Sequence, residues 1–350
     1  MRIMIEVASA PSPAPAYDAS PRIAVIVPAY GVAHLLGEAL ASLQAQTMPD
    51  WECLVIDDGA PDDVAGAFAP FRSDPRMRLI ETNNHGVSAA RNTAIAAATA
   101  PLIALLDGDD RLRPAYLATM TALLEADPEI RLASCNALLF GALPRERLCF
   151  KTKQGTSDGV HGSLADVLGR SFSVYIGATF RRAEIIRIGG FDPAMTHAED
   201  FDVWVRLLEL GGTAWYADQV LGEYRVRAHS ASANTLRLLH GNMKVYTKAQ
   251  ARLAADHVVQ PVITAQIAET QLSLDFQYAL LRIAGGETAR GLAELRAARA
   301  LVDGPVWDLS FALWRVLPWL ARPMLGWRQR GMARGAKRSS LAAVLELGKA

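Results

Sequence analysis

The sequence predicts an α/β fold, a doubly wound and mostly parallel sheet with a C-terminal helical appendage. Three observations carry that prediction. Apolar strands alternate with amphipathic helices through the N-terminal half, the order that builds a parallel sheet. Those strands tend to end abruptly in polar clusters. From about Leu236 onward β-branched runs thin out, and Ala, Leu, Gln and Arg take over.

The string RIAVIVPAY at 22–30 reads as a strand running into a proline. Residues 34–47 then carry Leu35, Leu36, Ala39, Leu40 and Leu43 at helical spacing. ECLVIDDG at 52–59 is a second strand, closed by two carboxylates and a glycine. Residues 77–81 give a short third strand, and NNHGVSAARN at 83–92 opens an Ala-rich helix running to about Ala98. LIALLDGDD at 102–110 is the most informative stretch. Its five consecutive apolar residues fit a strand buried on both faces, and three carboxylates follow within four residues. Crowded like charges are costly unless a cation neutralises them. Hard oxygen ligands suit Mg²⁺ or Mn²⁺, which keep several waters and bind phosphates. The competing reading is an acidic turn ahead of the helix that follows Pro114. For Asp57 and Asp58 it is a β-turn, with helix capping by Asp62 or Asp63. Ligands of an open parallel sheet bind outside the carboxyl ends of its strands. Pro28, Ala29 and Tyr30, Asp57 and Asp58, and Asp107, Asp109 and Asp110 all fall there.

Residues 141–172 are glycine-spaced and loop-like. HAEDFDVWVRL at 197–207 starts a helix that extends to about Leu210. Segments 234–256, 261–283 and 287–302 read as three helices, with Gly285 and Gly286 as a break. Four tryptophans, Trp307, Trp314, Trp319 and Trp327, then crowd one short span. Residues 321–350 hold seven Lys or Arg against Glu346 alone. An aromatic segment followed by basic residues fits an amphipathic helix at a membrane surface. It equally fits a buried C-terminal helix, or an oligomer contact, with a solvated tail. No apolar run reaches the ~18 residues a spanning helix needs.

Composition sets the outer bounds. Lys plus Arg and Asp plus Glu are both 36, a neutral balance that gives no support for a nucleic-acid partner. Cys53, Cys135 and Cys149 lie in or beside apolar segments without CxxC spacing, which argues for a reducing compartment and against structural zinc. The Pro/Ala-rich 1–21 segment lacks an adequate apolar region and reads as a disordered leader, not a signal peptide. The division follows: 1–21 leader, 22–232 main domain with halves at 22–112 and 113–232, 233–304 helical extension, 305–350 Trp-rich segment and basic tail.

IAVIVPAY, LVIDDG, NNHGVSAARN and LIALLDGDD, in this order, resemble the nucleotide-sugar half of a family 2 glycosyltransferase of the GT-A fold. Gly189-Gly190-Phe191-Asp192 and the Glu199-Asp200 pair resemble that family's acceptor-side motifs, so the likeness runs from residue 22 to about 230. The resemblance implies a metal-dependent, inverting and non-processive glycosyltransferase. It would take a nucleotide-diphospho-sugar donor, UDP preferred, and a glycan or lipid-linked acceptor. It implies Pro28, Ala29 and Tyr30 at the base and ribose. Asp57 would accept from a uracil or thymine N–H, with Asp58 beside it. Arg91 would reach phosphate or bridge helix to loop, while Asn92 is structural. Asp107 and Asp109 form the DXD pair that contacts ribose and Mn²⁺ or Mg²⁺, and His229 completes the metal site. Arg225 or Arg227 would neutralise diphosphate charge. Asp200 is the implied catalytic base, positioned by Glu199, and the start of a helix would lower its pKa. Gly31 stands where the family usually has Asn, and Ala60-Pro61 where it has a Ser-led pair. Both departures fall in base-contacting loops and bear on nucleotide identity. A bacterial cytoplasmic enzyme of polysaccharide assembly, peripheral at the inner membrane face, is the cellular setting the resemblance implies. The alternative is a non-catalytic sugar-nucleotide-binding or scaffold protein on the same fold. A nucleotidyltransferase would need a glycine-rich basic loop after the first strand. A processive synthase would need spanning helices and a Gln-x-x-Arg-Trp segment.

Overall fold

The computed structural model describes residues 20–150, 159–227, 235–298 and 305–325. Most of the leader, His229, the end of the third appendage helix and the basic tail lie outside the described residues.

The N-terminal half alternates as its periodicity requires. Strands β1 (Ile23–Ala29), β2 (Trp51–Asp58), β3 (Met77–Thr82) and β4 (Leu102–Leu105) are joined through α1 (Ala33–Gln44), α2 (Val64–Phe68) and α3 (Val87–Ala97). A short β5 (Arg111–Leu112) and α4 (Tyr116–Ala126) lead into the long β6 (Ile130–Gly141). The stretch 141–172, which reads as loop from its glycines, contains β7 (Arg147–Leu148), β8 (Val160–Gly162) and α5 (Leu164–Leu168). Then come β9 (Thr179–Arg181), α6 (Arg182–Arg187), α7 (Glu199–Leu208) and the 14-residue β10 (Thr213–Val226).

The sheet runs β3-β2-β1-β4-β9-β6-β10-β5, with β7 on β6 and β8 on β10. Strands β1 to β4 pair in parallel, as do β6 and β10. Strand β9 runs antiparallel between β4 and β6. Register places Ala29 opposite Asp57 and Ile26 opposite Leu105, so the polar ends of β1, β2 and β4 emerge at one edge. The two faces bury alternate residues, the period-2 signature of a strand covered on both sides. Ala24, Ile26, Leu54, Ile56, Ile103 and Leu105 meet α3 and α7. Ile23, Val25, Val27, Cys53, Val55 and Ala104 meet α1 and α4.

The three appendage helices form as expected: α8 (Thr235–Arg252), α9 (Gln260–Gly285) and α10 (Thr288–Ala297), followed by α11 (Pro305–Val316). Packing nevertheless continues across residue 232. Val245, Tyr246 and Ala249 of α8, with Val259 and Ile263, are buried in the same cluster as α7. Buried Asp202 ties the two helices, ion-paired to Arg206 at 2.7 Å and to Lys248 at 2.7 Å. A separate small core holds Phe276, Ile283, Leu292 and Leu295 against Phe311 and Trp314. Trp314 thus faces inward while Trp319 is exposed, and no helix among the described residues is long and apolar enough to cross a membrane.

Candidate active site

A cavity of about 700 Å³ opens at the carboxyl edge of the parallel strands. Pro28, Ala29 and Tyr30 line it from β1 and the turn beyond. Gly31 follows at φ +66°, and Asn and Gly are the residues that tolerate this left-handed backbone best. The departure from Asn therefore leaves the turn intact. Asp62 clamps that turn, accepting from Gly31 N at 2.9 Å and Ala33 N at 2.6 Å, while Asp63 caps α2.

The two carboxylates ending β2 separate in their surroundings. Asp58 is buried and lines the cavity; it accepts from His85 N at 3.0 Å and Gly86 N at 2.8 Å, which shapes the loop before α3. Asp57 accepts from Ala60 N at 2.9 Å within its own turn, and the cavity lining does not include it.

Asp107, Asp109 and Asp110 follow β4, and each offers an oxygen within 4.8 Å of the others. Asp110 is buried; its Oδ1 accepts from Arg225 N at 2.7 Å, while its Oδ2 has no hydrogen-bond partner. Burial, then the charges of Asp107 and Asp109, holds the Asp110 carboxyl well above its ordinary range. Burial and Asp107 also raise Asp109, against the pull of Arg227. Three crowded oxygens, one of them orphaned, suit a hard divalent cation. Arg227 is ion-paired to Asp109 at 2.7 Å, and Arg225 reaches Glu38 at 2.6 Å.

Arg91 joins the two halves of the site. Its guanidinium is 1% exposed and contacts Asp107 at 2.9 Å and Glu199 at 2.9 Å. Burial would lower its pKa, but Asp107 and Glu199 outweigh that and raise it. Asn92 brackets Phe191, accepting from its N at 2.7 Å and donating to its O at 2.7 Å. That bond pair holds the Gly190–Phe191 turn against α3.

Glu199 and Asp200 occupy the first turn of α7, but neither caps it. The N-cap is Ala198, in a left-handed conformation at φ +58° and without a side-chain cap. Such a backbone costs on the order of 1–3 kcal/mol and is found where neighbours over-determine it. Asp200 lines the cavity and accepts from Phe201 N at 2.7 Å. Its pKa moves opposite to the helix-dipole expectation. Burial, then Glu199, pushes it up to about 6, and Arg91 offsets only part of that. The dipole of a first turn is worth ~0.3–1 kcal/mol, less than a buried like charge.

The resemblance implies an acceptor-facing loop at 141–172 without singling out its residues, and it does not reach α8. Arg170, Phe172 and Ser173, and Leu238 and Asn242 of α8, line the same cavity. Only the glycine-spaced texture of 141–172 hinted at the first group, and nothing local marked Asn242. Cys149 lines the cavity; Cys53 and Cys135 are buried, and all three are free.

Residues 24–136 match the profile described as glycosyl transferase family 2, and residues 102–246 that of glycosyl transferase family group 2. EpsJ of Bacillus subtilis, an uncharacterised glycosyltransferase, is 38% identical over 104 residues, 29% of this chain and 30% of that protein. The match thus spans under a third of that curated relative. TarS 1–349 of S. aureus, solved with UDP-GlcNAc, superposes with TM-score 0.61 at 17% identity, covering 88% of this chain and 92% of that one. The Pyrobaculum calidifontis mannosyltransferase PcManGT, solved with GDP-Man and Mn²⁺, gives TM-score 0.57 at 21% identity, covering 90% and 86%. At these identities the likeness is one of fold, the GT-A arrangement.

Proposed function

The chain carries a family 2 glycosyltransferase domain, and from that premise we propose that it moves one sugar from a nucleotide-diphospho-sugar to a hydroxyl of a glycan or lipid-linked acceptor, with inversion and with a divalent cation. The observation that carries this reading is the Arg91 bridge, which ties donor-side Asp107 to Glu199 beside Asp200 across one cavity.

The chemistry follows from the charges. Asp200 takes the acceptor proton as the hydroxyl attacks the anomeric carbon. Glu199, held by Arg91, keeps that carboxylate in place. One base suffices for a single displacement without a covalent sugar–enzyme intermediate, and that displacement inverts the anomeric carbon. Asp107 and Asp109, with His229, would hold the cation. Bound Mn²⁺ or Mg²⁺ offsets the negative charge that develops on the diphosphate. Arg227, leaving Asp109, and Arg225 lie where they add to that neutralisation. UDP is the assigned nucleotide. Asp58 lines the cavity where Asp57 does not, so we assign to Asp58 the imide N–H contact that the resemblance implies for Asp57.

The test is thermal stability with UDP, dTDP, GDP or CMP, each with and without Mn²⁺. UDP should raise the midpoint only with the metal, by mass action, and Asp109→Ala should abolish the shift. Stabilisation by GDP alone overturns the nucleotide assignment. No stabilisation by any nucleotide overturns the transferase reading.

Peripheral membrane contact belongs to the same proposal. Leu309, Val316 and Trp319 of the C-terminal segment are exposed by 71%, 74% and 65% among the described residues. Arg315 and Arg322 stand beside them, and the strongly basic 321–350 stretch follows. An anionic bilayer surface matches both features.

A further inference from the structure

The cavity continues beyond Asp200 to α8, and there it holds polar groups that the transfer chemistry does not use. Gly241 lets that helix approach closely. A Cβ there would lie 2.6 Å from His197 O, so the α8 backbone rests on the turn that carries Glu199 and Asp200. The next residue, Asn242, is 7% exposed and lines the cavity. Among the described residues no protein group hydrogen-bonds its amide, which opens onto the cavity and is not sealed in the core. A ligand there would replace water as its partner.

Arg170 faces the same space. It is a non-glycine residue at φ +59°, a backbone state that persists only where neighbours enforce it. Its Nε donates to the Tyr246 hydroxyl at 3.0 Å, and its guanidinium lies 4.7 Å from the centroid of Phe201, the residue after Asp200. The Tyr246 hydroxyl is itself fixed by Gln266 Oε1 at 3.0 Å. Tyr246 sits one turn after Asn242 on α8, on the same helix face. Arg91, Arg225 and Arg227 of the cavity are each ion-paired. Among the described residues Arg170 makes no ion pair; it is exposed, and its guanidinium is open to solvent where it lines the cavity.

We infer that this end of the cavity is the acceptor subsite, that the helical extension builds it, and that it takes a sugar carrying an anionic group. Arg170 pairs with the phosphate or carboxylate, and Asn242 hydrogen-bonds a neighbouring hydroxyl. A planar guanidinium on a rigid support suits either oxyanion bidentately. The inference rests on the transferase reading, because it assigns the acceptor to that reaction.

The experiment titrates glucose 6-phosphate, glucuronate and glucose into the full chain saturated with UDP and Mn²⁺, so the donor phosphate site is already filled. One charged probe should bind roughly 10- to 100-fold tighter than glucose, the range expected for hydrogen bonds to a charged group. Whether it is the phosphate or the carboxylate identifies the anion. Arg170→Gln should remove the preference and Arg170→Lys should restore part of it. Asn242→Ala should weaken all three probes. Unchanged UDP affinity in each variant shows that it is folded. Equal binding of charged and neutral probes, no binding of either charged probe, or a preference that survives Arg170→Gln overturns the inference. If UDP with Mn²⁺ fails to bind the wild type, the transferase reading falls first. The same probe comparison without nucleotide then still decides whether the subsite exists.

Discussion

Arg91 and Asp200 show how single residues connect the two halves of the site. Arg91 is a buried cation between two carboxylates from elements far apart in sequence. Removing one partner of a buried ion pair costs about 3–5 kcal/mol, because the other charges stay buried without compensation. Arg91→Met should therefore lower stability by that amount in denaturant unfolding. In Arg91→Met molecules that remain folded, kcat should fall more than the donor KM rises, since Glu199 loses its orientation. A pure phosphate-binding role would instead raise the donor KM with kcat retained. Asp200 gives a pH prediction. A base with its pKa pushed up to about 6 is ionised above that pH and protonated below it. The free-enzyme profile of kcat/KM should be flat above about pH 7 and fall toward tenfold per pH unit below 6. Asp200→Asn should lower kcat by about 10²- to 10⁴-fold, leave UDP binding unchanged and erase that limb. A limb that survives in Asp200→Asn assigns the base elsewhere.

At the scale of elements, the strands that end in polar clusters were legible because an apolar run and its carboxylates are adjacent in sequence. Asp107, Asp109 and Asp110 converge as the string LIALLDGDD implies. What depends on distant partners was not legible. Strand β9 inserts antiparallel between β4 and β6, and β10 follows β6 through three register shifts; neither has a local signature. The direction of the Asp200 shift depends on burial and on Glu199, and no spacing along the chain reveals the burial. Asp57 reads like its neighbour Asp58, yet one turns into its own loop and the other into the cavity. Helix α8 is the clearest case, since its Ala, Leu and Gln texture says appendage while Gly241 seats it on His197. Gly241→Ala places a methyl where His197 O already lies. Overpacking of this kind costs about 1–3 kcal/mol. The methyl should lift α8 from the catalytic turn, so that transfer slows while UDP affinity is kept. Isothermal titration of UDP beside a steady-state assay reads both. Parallel loss of both would mean that α8 supports the whole fold and not the acceptor wall alone.

Across the molecule, the described residues form a core in three parts, and two of them border the candidate site. The clusters on the two faces of the sheet hold the site, while Phe276, Ile283, Leu292 and Leu295 pack with Phe311 and Trp314 elsewhere. Trp314 is 2% exposed, so Trp314→Ala should cost about 3–5 kcal/mol within that third cluster. Although α9 reaches two clusters, with Ile263 in one and Phe276 in the other, the third cluster shares no buried residue with the other two, so the loss should appear as an earlier, separate unfolding transition. The UDP-dependent transition should stay in place. The outward face of the same segment makes the opposite demand. Leu309, Val316 and Trp319 contribute nothing to the third cluster, so replacing them should leave both transitions unmoved. If an anionic bilayer is what they meet, the full chain should sediment with vesicles containing phosphatidylglycerol and not with phosphatidylcholine alone. The interaction should weaken as salt screens the basic residues. The double variant Leu309→Ser, Trp319→Ser should lose most of the bound fraction at unchanged thermal stability. Binding that persists in that variant assigns it to the basic residues alone. Binding to neither vesicle leaves the exposed stripe to a protein neighbour, which an analytical ultracentrifugation series in protein concentration would then detect as self-association.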